Sequence, residues 1–301
     1  MSIINTSSFE SDLLPGLVKK WFGEHNDLPE IYSQMMKVEA SNQAYDILGT
    51  LTPMGAAQRK NQGSALTLDT AQEAFKPIFT NLAYALGFEI TKEARQDGHA
   101  FRDAKRFTEM LKRGCRITKE IVAANILNFA GTSGYTMTGG DGVILASASH
   151  PTRAGNQSNI LSGGTDLSEA ALEAINVQIM NAKDNRGLRI GLMIDKLIIS
   201  PTQKADAHRI LMSDRRVSTA DNDANFVNDT NLVKGIVVNQ YLTSTTQWQV
   251  TTNAPDGLIF KIRQEAEVDT DNVFLTKNSQ VSVDMRICAG WGDHKGVYIS
   301  L

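Results

Sequence analysis

The chain has little of what marks secreted, membrane-spanning or nucleic-acid-gripping proteins. Only two cysteines occur in 301 residues, Cys115 and Cys288. Two cannot staple a disulfide scaffold, so they read as reduced, small core residues of a cytosolic product. Charge of one sign is lacking too: 30 Lys and Arg stand against 33 Asp and Glu, a net −3, whereas a dedicated nucleic-acid binder is strongly basic. The longest mostly apolar stretch, IVAANILNFA (Ile121–Ala130), is too short to cross a bilayer, which takes about 20 residues. The opening MSIINTSSFESDLLPGL lacks a basic region followed by an apolar run, so no secretory signal is expected. No repeat of 20–50 residues and no low-complexity tract is present.

Catalytic and ligand motifs are equally scarce. The five histidines, His25, His99, His150, His208 and His294, are scattered. No pair has zinc-ligand spacing, and the cysteines form no C-x-x-C. ILASASHPTRAGNQSNILSGG (Ile144–Gly164) collects serines, a histidine and glycines but has no G-x-S-x-G elbow. Ser147, Ser149 and His150 lie too close in sequence to be read as a triad, whose members come from separate elements. DNDANF (Asp221–Phe226) begins like a calcium loop and then fails, with Phe226 where glycine is needed and Leu232 where the closing glutamate is needed. GYTMTGGDG is not a nucleotide cradle, for it contains neither G-x-G-x-x-G nor G-K-[ST]. The basic run Lys105–Arg116 reads as a solvated helix face. No catalytic residue, metal ligand or cofactor site is assigned.

What is present is an ordinary interior, 42% hydrophobic and 21% charged, enough for one large domain or two ordinary ones. The clearest element is a helix. Ala104, Phe107, Leu111, Cys115, Thr118, Val122 and Phe129 recur at spacings of three and four, with Arg106, Glu109, Lys112, Arg113 and Arg116 largely opposite. Past Glu120 the pattern is apolar all round, which predicts burial of that end. From Arg102 to Ala130 such a rod spans about 40 Å at 1.5 Å per residue.

Before it, residues 1–40 read as an irregular arm with an apolar stripe at Leu13, Leu14, Leu17, Trp21 and Phe22. Residues 41–90 read as two long strands joined by a Gly- and Ala-rich tip bearing Arg59 and Lys60; such a hairpin has little core of its own. After the long helix come a loop with a short hairpin (131–165) and a helix capped by Asp166 or Ser168, with Leu172, Ile175, Ile179 and Met180 as its stripe. LRIGLMIDKLIISP reads as a strand pair or one long strand, TQKADAHRILMS as a short helix. GIVVNQYLT, WQVTTN, LIFKIRQ, VFLTKN, QVSVDMRICAGWGDH and KGVYISL read as strands. The class is α+β.

The order of these elements resembles the major capsid (head) protein of tailed bacteriophages, the fold shared with encapsulins and herpesvirus shell proteins. The resemblance is carried by LTLDTAQEAF (Leu66–Phe75), YALGFEITKEARQDG (Tyr84–Gly98), YTMTGGDGVILASASHP (Tyr135–Pro151), NQSNIL followed by TDLSEAALEA, DNRGLRIGLMIDKLIISP, ADNDAN, VVNQYLT and GWGDHKGVYIS. These eight collinear pieces cover about residues 30–301.

The resemblance implies an N-terminal arm (1–44), an extended β-hairpin loop (45–90), a peripheral domain (91–186) with a spine helix at about 101–130, an axial domain (187–255) and return strands to the peripheral domain (256–301). It implies a structural protein, not an enzyme, that assembles as hexamers and pentamers into an icosahedral head shell around double-stranded DNA. The runner-up is an encapsulin-like compartment; a hydrolase using Ser147 or Ser149 and a tail-tube or baseplate protein are the remaining readings. The implied partners are further copies of the chain, a separate scaffolding protein, a portal, a decoration protein and packaged DNA touched non-specifically, with no membrane. The implied setting is the virion head, assembled in the bacterial host cytoplasm. Arg59, Lys60, Gln62, Trp21 and Arg113 are the expected inter-subunit contacts. Lys60 stands where some members carry a cross-linking lysine, but no motif supplies its partner, so a cross-link is not expected.

Overall fold

Strand Ile194–Ile199 (β5) explains why the molecule has the layers it has. Its last three residues, Leu197, Ile198 and Ile199, are fully buried. Side chains alternate across a strand, so both faces of β5 are apolar and both must be covered. Leu197 and Ile199 face one core and Ile198 another.

The computed structural model describes residues 30–93, 100–133, 139–161, 163–215, 224–273 and 275–301. In chain order the described elements are α1 (Tyr32–Met35), β1 (Lys37–Ala40), β2 (Tyr45–Ile47), β3 (Ile78–Thr80), β4 (Leu82–Ile90), α2 (Ala100–Asn128), α3 (Glu169–Met180) and β5. There follow a 3₁₀ turn (Pro201–Gln203), α4 (Lys204–Met212), α5 (Phe226–Asp229), β6 (Gly235–Val238), β7 (Trp248–Thr252), β8 (Leu258–Asn272), β9 (Ser279–Trp291) and β10 (Val297–Ser300). One sheet runs β1-β8-β9-β4, with β1 parallel to β8 and the rest antiparallel. A second runs β10-β7-β5-β6, with only β5 and β6 parallel. β2 and β3 form a separate ribbon.

The first core lies between α2 and the first sheet. Leu111, Cys115, Ala123, Ile126 and Leu127 of the helix meet Phe260, Val281, Val283, Met285 and Ile287. Ile198, Val237, Val297 and Ile299 join them from the second sheet. The second core packs Leu172, Ile175 and Ile179 of α3 and Ala207 and Leu211 of α4 on Leu197, Ile199, Trp248, Val250 and Tyr298. Ser168 caps α3, its hydroxyl accepting from the Ala171 amide, which supplies one of the four amides a helix start leaves unpaired.

Polar ties fix the spine at two points. Glu120 is buried on α2 and accepts from the amides of Ile31 (2.7 Å) and Tyr32 (3.0 Å), capping α1 from outside. At the far end, the Gln247 amide donates to the Leu127 carbonyl at 3.1 Å. Asn128 donates to the Tyr241 carbonyl and accepts from the Thr243 amide, both at 3.0 Å. The Leu127 carbonyl and the Asn128 side chain at the helix end thus find partners in the strand connections of the second sheet.

Several expectations need correction. The residues at 41–90 do not make two long strands: only β2 and β3 pair, and residues 53–71 carry no ladder. β4 leaves that ribbon and pairs along its whole length with β9. LIFKIRQ is only the start of β8, which continues to Asn272, and VFLTKN is the turn that closes its hairpin, with Lys277 at φ 58°. LRIGLMIDKLIIS contains one short strand, β5. The helix placed with the spine before residue 187 packs in the second core, and the last strand, β10, pairs with β7 of the second sheet rather than returning to the first. Phe129 and Met180, counted in apolar stripes, are 42% and 57% exposed. The apolar stripe of the N-terminal arm, with Trp21, and Asp221–Asp223 lie outside the described residues.

Leu127 is fully buried between the two sheets. Leu127→Ala is expected to cost about 2–5 kcal/mol through lost transfer energy and a residual cavity, read as a shift in the urea midpoint at unchanged slope.

Candidate functional site

The Gly- and Ala-rich segment between β2 and β3 has no core to fold around, so contacts at its base determine where it points. The ribbon is extended by Leu48 to Pro77 (3.0 Å), Ala74 to Thr50 (2.9 Å) and Thr52 to Gln72 (2.7 Å) backbone bonds. Beyond these, side chains take over. Asp69 accepts from the Gly55 amide at 2.8 Å and from the Arg186 guanidinium, which also reaches the Thr70 carbonyl at 2.7 Å. Arg153 donates to Gln72. The Gly55 amide first, then Arg186 and the Thr70 amide, hold the Asp69 carboxyl down to about 2.

Beyond the buried Thr52, the loop's side chains from Pro53 to Glu73 are exposed. Leu66 is 71% and Leu68 91% exposed. Arg59, Lys60 and Gln62 lie at the tip, exposed and, among the described residues, without an ion-pair partner. Arg113 is exposed on α2, between Lys112 and Arg116. The structure therefore puts three of the expected contact residues together at one tip and the fourth far away on the spine; Trp21 is not among the described residues.

The stretch Ile144–Gly164 is a structured loop. The Ser147 hydroxyl accepts from the Ser149 amide, and the Ser149 hydroxyl from Asn156. Neither is bonded to a histidine. His150 is fully buried, with Nδ1 2.7 Å from Asp141 Oδ2, and Nε2 3.1 Å from the Leu145 carbonyl and 3.2 Å from Asn159 Oδ1. Asn159, also fully buried, donates to the carbonyls of Leu145 (2.6 Å) and Val297 (3.2 Å), tying the loop to β10.

One arrangement was missed from the sequence: His294 stacks on His150, with ring centroids 4.1 Å apart and planes 5° apart. The two are distant in the chain, and nothing in their local spacing signals the meeting. Asp141, His150 and His294 offer ligand atoms within 4.8 Å of one another. The trio is nonetheless not a preformed metal cage. Lone pairs of imidazole nitrogens lie in the ring plane, and two parallel stacked rings cannot aim them at one ion.

The stack borders a cavity of about 440 Å³ between the base of the extended loop (Thr50, Leu51, Phe75) and the 291–295 segment. Gly140 touches the backbone of Lys76 and Pro77, so a β-carbon there would clash at 2.6 Å. The histidine loop thus abuts the root of the extended loop.

Among the described residues, His294 Nε2 is buried without a hydrogen-bond partner. Burial, the adjacent His150 ring and Lys295 hold its acid form down, to about 3, against the pull of Asp293 and Asp141. In an unfolded chain histidine takes up its proton near pH 6.5. The folded ring stays neutral there, so its contribution is full above that pH and is lost progressively as pH falls toward 3. One excluded proton accounts for at most about 1.4 kcal/mol per pH unit. The protein is expected to melt at falling temperature from pH 7 to 4, and His294→Gln to flatten that slope; an unchanged slope counts against the assignment. Arg186→Ala is expected to speed tryptic cleavage at Arg59 and Lys60, read by limited proteolysis.

With the geometry in place, comparison with known proteins supplies the class. Residues 76–300 match the family described as phage capsid protein. No curated protein matches the chain. Among solved structures it is similar to Mycobacterium phage Adephagia (TM-score 0.56, 11% identity, 99% of this chain and 97% of that one). It is similar to Mycobacterium phage Bobi (TM-score 0.54, 12% identity, 92% of both chains). It also resembles the procapsid of bacteriophage JBD30 (TM-score 0.53, 13% identity, 98% of this chain and 76% of that one). At these identities the structural likeness shows the fold, and the family match covers most of the chain. The protein belongs to the phage capsid family: it is a structural shell protein with the mixed helix-and-sheet major capsid fold.

Proposed function

We propose that copies of this chain assemble as hexamers and pentamers into the icosahedral head shell that encloses the double-stranded DNA of a tailed phage or prophage. The observation that carries the reading is the extended loop. It displays Leu51, Met54, Leu66 and Leu68 to solvent and is rooted in a ribbon whose Tyr45, Ile47 and Ile78 are 54–57% exposed. Apolar surface left open in a chain with two complete cores marks a contact with another molecule.

On this reading the extended loop spans about residues 45–80. The peripheral domain is α2 with the first sheet, and the axial domain is the second sheet with α3 and α4. The residues before β1 belong to an arm that docks on the spine through Glu120. Arg113, exposed on α2 between half-buried Lys112 and Arg116, is the group proposed to touch packaged DNA without sequence preference, and the small net charge suits a wall that does not grip its contents. A scaffolding protein, a portal and a decoration protein are the further partners, and the virion head, assembled in the host cytoplasm, is the setting. Among the described residues no helix is long and apolar enough to cross a membrane.

The test is electron microscopy of the chain expressed alone and with the products of neighbouring reading frames. Closed shells, or sheets of hexamers and pentamers, are expected; a monomer in both conditions overturns the reading. Removal of Ala56–Gly63 is expected to leave a folded subunit, by circular dichroism, that closes no shells.

A further inference from the structure

The first sheet ends in two unlike edges. β1 is four residues long, whereas β4 runs for nine, Leu82–Ile90, beyond the roughly five to six of an ordinary strand. β4 pairs on one side only, with β9, in a register that holds without a bulge from Leu82 opposite Ile287 to Ile90 opposite Ser279. Its other side carries a row of backbone N–H and C=O groups that, among the described residues, no strand takes up. Most of β4 is exposed. Natural sheets blunt such an edge with lysine, proline, a bulge or a covering segment. From Leu82 to Phe88 β4 has none of the first three. An edge left open in this way accepts an added strand.

The sequence of β4, LAYALGFEI, says which strand. Leu82, Tyr84, Leu86, Phe88 and Ile90 point to the α2 side, as their β9 partners Val281, Val283 and Met285 do. Ala83, Ala85, Gly87 and Glu89 point away. The pattern reads nearly alike in both directions about Leu86. Laid antiparallel on a copy of itself and centred there, β4 sets Leu82 against Ile90, Tyr84 against Phe88 and Leu86 against Leu86. On the other face Ala83 meets Glu89 and Ala85 meets Gly87. Apolar and aromatic pairs thus share one face, and no carboxylate meets a carboxylate.

β9 adds charge complementarity. Arg286 is exposed, stands opposite Ala83 and, among the described residues, has no ion-pair partner. Glu89 accepts from the Asn278 amide at 2.6 Å and, among the described residues, makes no ion pair either. In the paired arrangement Glu89 of the second copy falls in one row with Ala83 and Arg286 of the first. Two strand spacings, about 10 Å, separate the two backbones. The small side chain of Ala83 leaves that gap for the two long ones to close, and the pair occurs twice, once for each copy.

On the α2 side the same pairing covers an apolar rim. Leu82 and Leu86 are exposed at the edge. Phe107 stacks on Phe88 with ring centroids 5.3 Å apart and is itself exposed, as is Met110 one turn further along α2.

Resting on the reading that copies associate into a shell, we propose that β4 of one copy pairs antiparallel with β4 of a second across a two-fold axis at Leu86. Two four-stranded sheets then become one continuous sheet, with Glu89 of each copy set against Arg286 of the other. A contact of this kind is self-complementary and closes on itself.

The experiment uses the full chain. Leu86→Cys places two thiols opposite each other, within the backbone separation that a disulfide spans. Ala83→Cys places them six residues out of register, about 20 Å apart. Under mild oxidant, Leu86→Cys is expected to give a covalent dimer on a non-reducing gel and Ala83→Cys none; both native cysteines are buried. At the charge pair, Glu89→Arg and Arg286→Glu are each expected to weaken association about tenfold or more, read by sedimentation, because like charges are then juxtaposed. The two together are expected to restore most of it. Both side chains are exposed, and circular dichroism melts that match the parent separate a lost contact from a folding defect. No covalent dimer from Leu86→Cys, equal cross-linking from Ala83→Cys, or a double variant no better than the singles overturns the pairing. Shells in the electron microscope from a parent whose Leu86→Cys form does not cross-link remove the pairing and leave the shell reading standing. A register-specific dimer that builds no shell removes the shell reading and leaves the pairing.

Discussion

The last two turns of α2 bury more of their girth than one neighbour can cover. Ala123, Ala124 and Leu127 are fully buried and Ile126 nearly so, while Ile121 stays 40% exposed, so apolar residues on more than one side need a partner. One sheet cannot cover them all. The first sheet takes one side and the strands of the second, through Ile198, Val237, Val297 and Ile299, take another. The two layers are joined because they share this one buried rod, and the ties from Gln247 to the Leu127 carbonyl and from the Asn128 side chain to Tyr241 and Thr243 pin its end to the second sheet. The second sheet is in turn apolar on both faces, which forces α3 and α4 onto its far side. Removing the apolar end of the spine would therefore part the layers as well as hollow one core.

How legible all this is depends on whether the cause is local. The spine's spacing of three and four places the helix within two residues of its observed ends, because burial against a sheet imposes that period. Ser168 is legible as a cap for the same local reason. β8 is legible only to Gln264. Beyond it the inward alternation continues through Ala266 and Val268, but the outward positions are acidic, and a run of acids reads as loop. VFLTKN is apolar and β-branched enough to pass for a strand, yet its backbone turns at Lys277. The alternation of Leu66 and Leu68 predicts a strand that does not form, since a ladder needs a partner and the opposite limb, PMGAAQRKNQG, has neither the propensity nor the side chains to supply one. The meeting of His150 with His294 has no sequence signature, because it depends on how a loop after the spine and the segment before the last strand lie across the same sheet edge.

The extended loop is the one part of the described chain whose side chains are not organised by a core. Its direction rests on the ribbon at its root and on exposed polar links to Arg153 and Arg186. Exposed ion pairs contribute little to stability because water competes for both partners. The loop is thus directed but weakly held. On the proposed shell reading, one sequence fills five-fold and six-fold settings, and two rigid cores with a weakly held loop suit that task.

The buried histidine stack stands at the root of that loop. Gly140 touches Lys76 and Pro77, where the returning limb meets the body, and Asp141 beside it is paired to His150. His150's other neighbours reach the first core directly: it bonds the Leu145 carbonyl and packs edge-on against Trp291, both members of that core. Neutral His294 stacks on His150 with the rings 4.1 Å apart; a proton on His294 would place a charge where burial shields it from water. The buried histidine stack and the root of the extended loop thus share one contact a few residues wide, through Asp141 on His150 and Gly140 on Lys76 and Pro77.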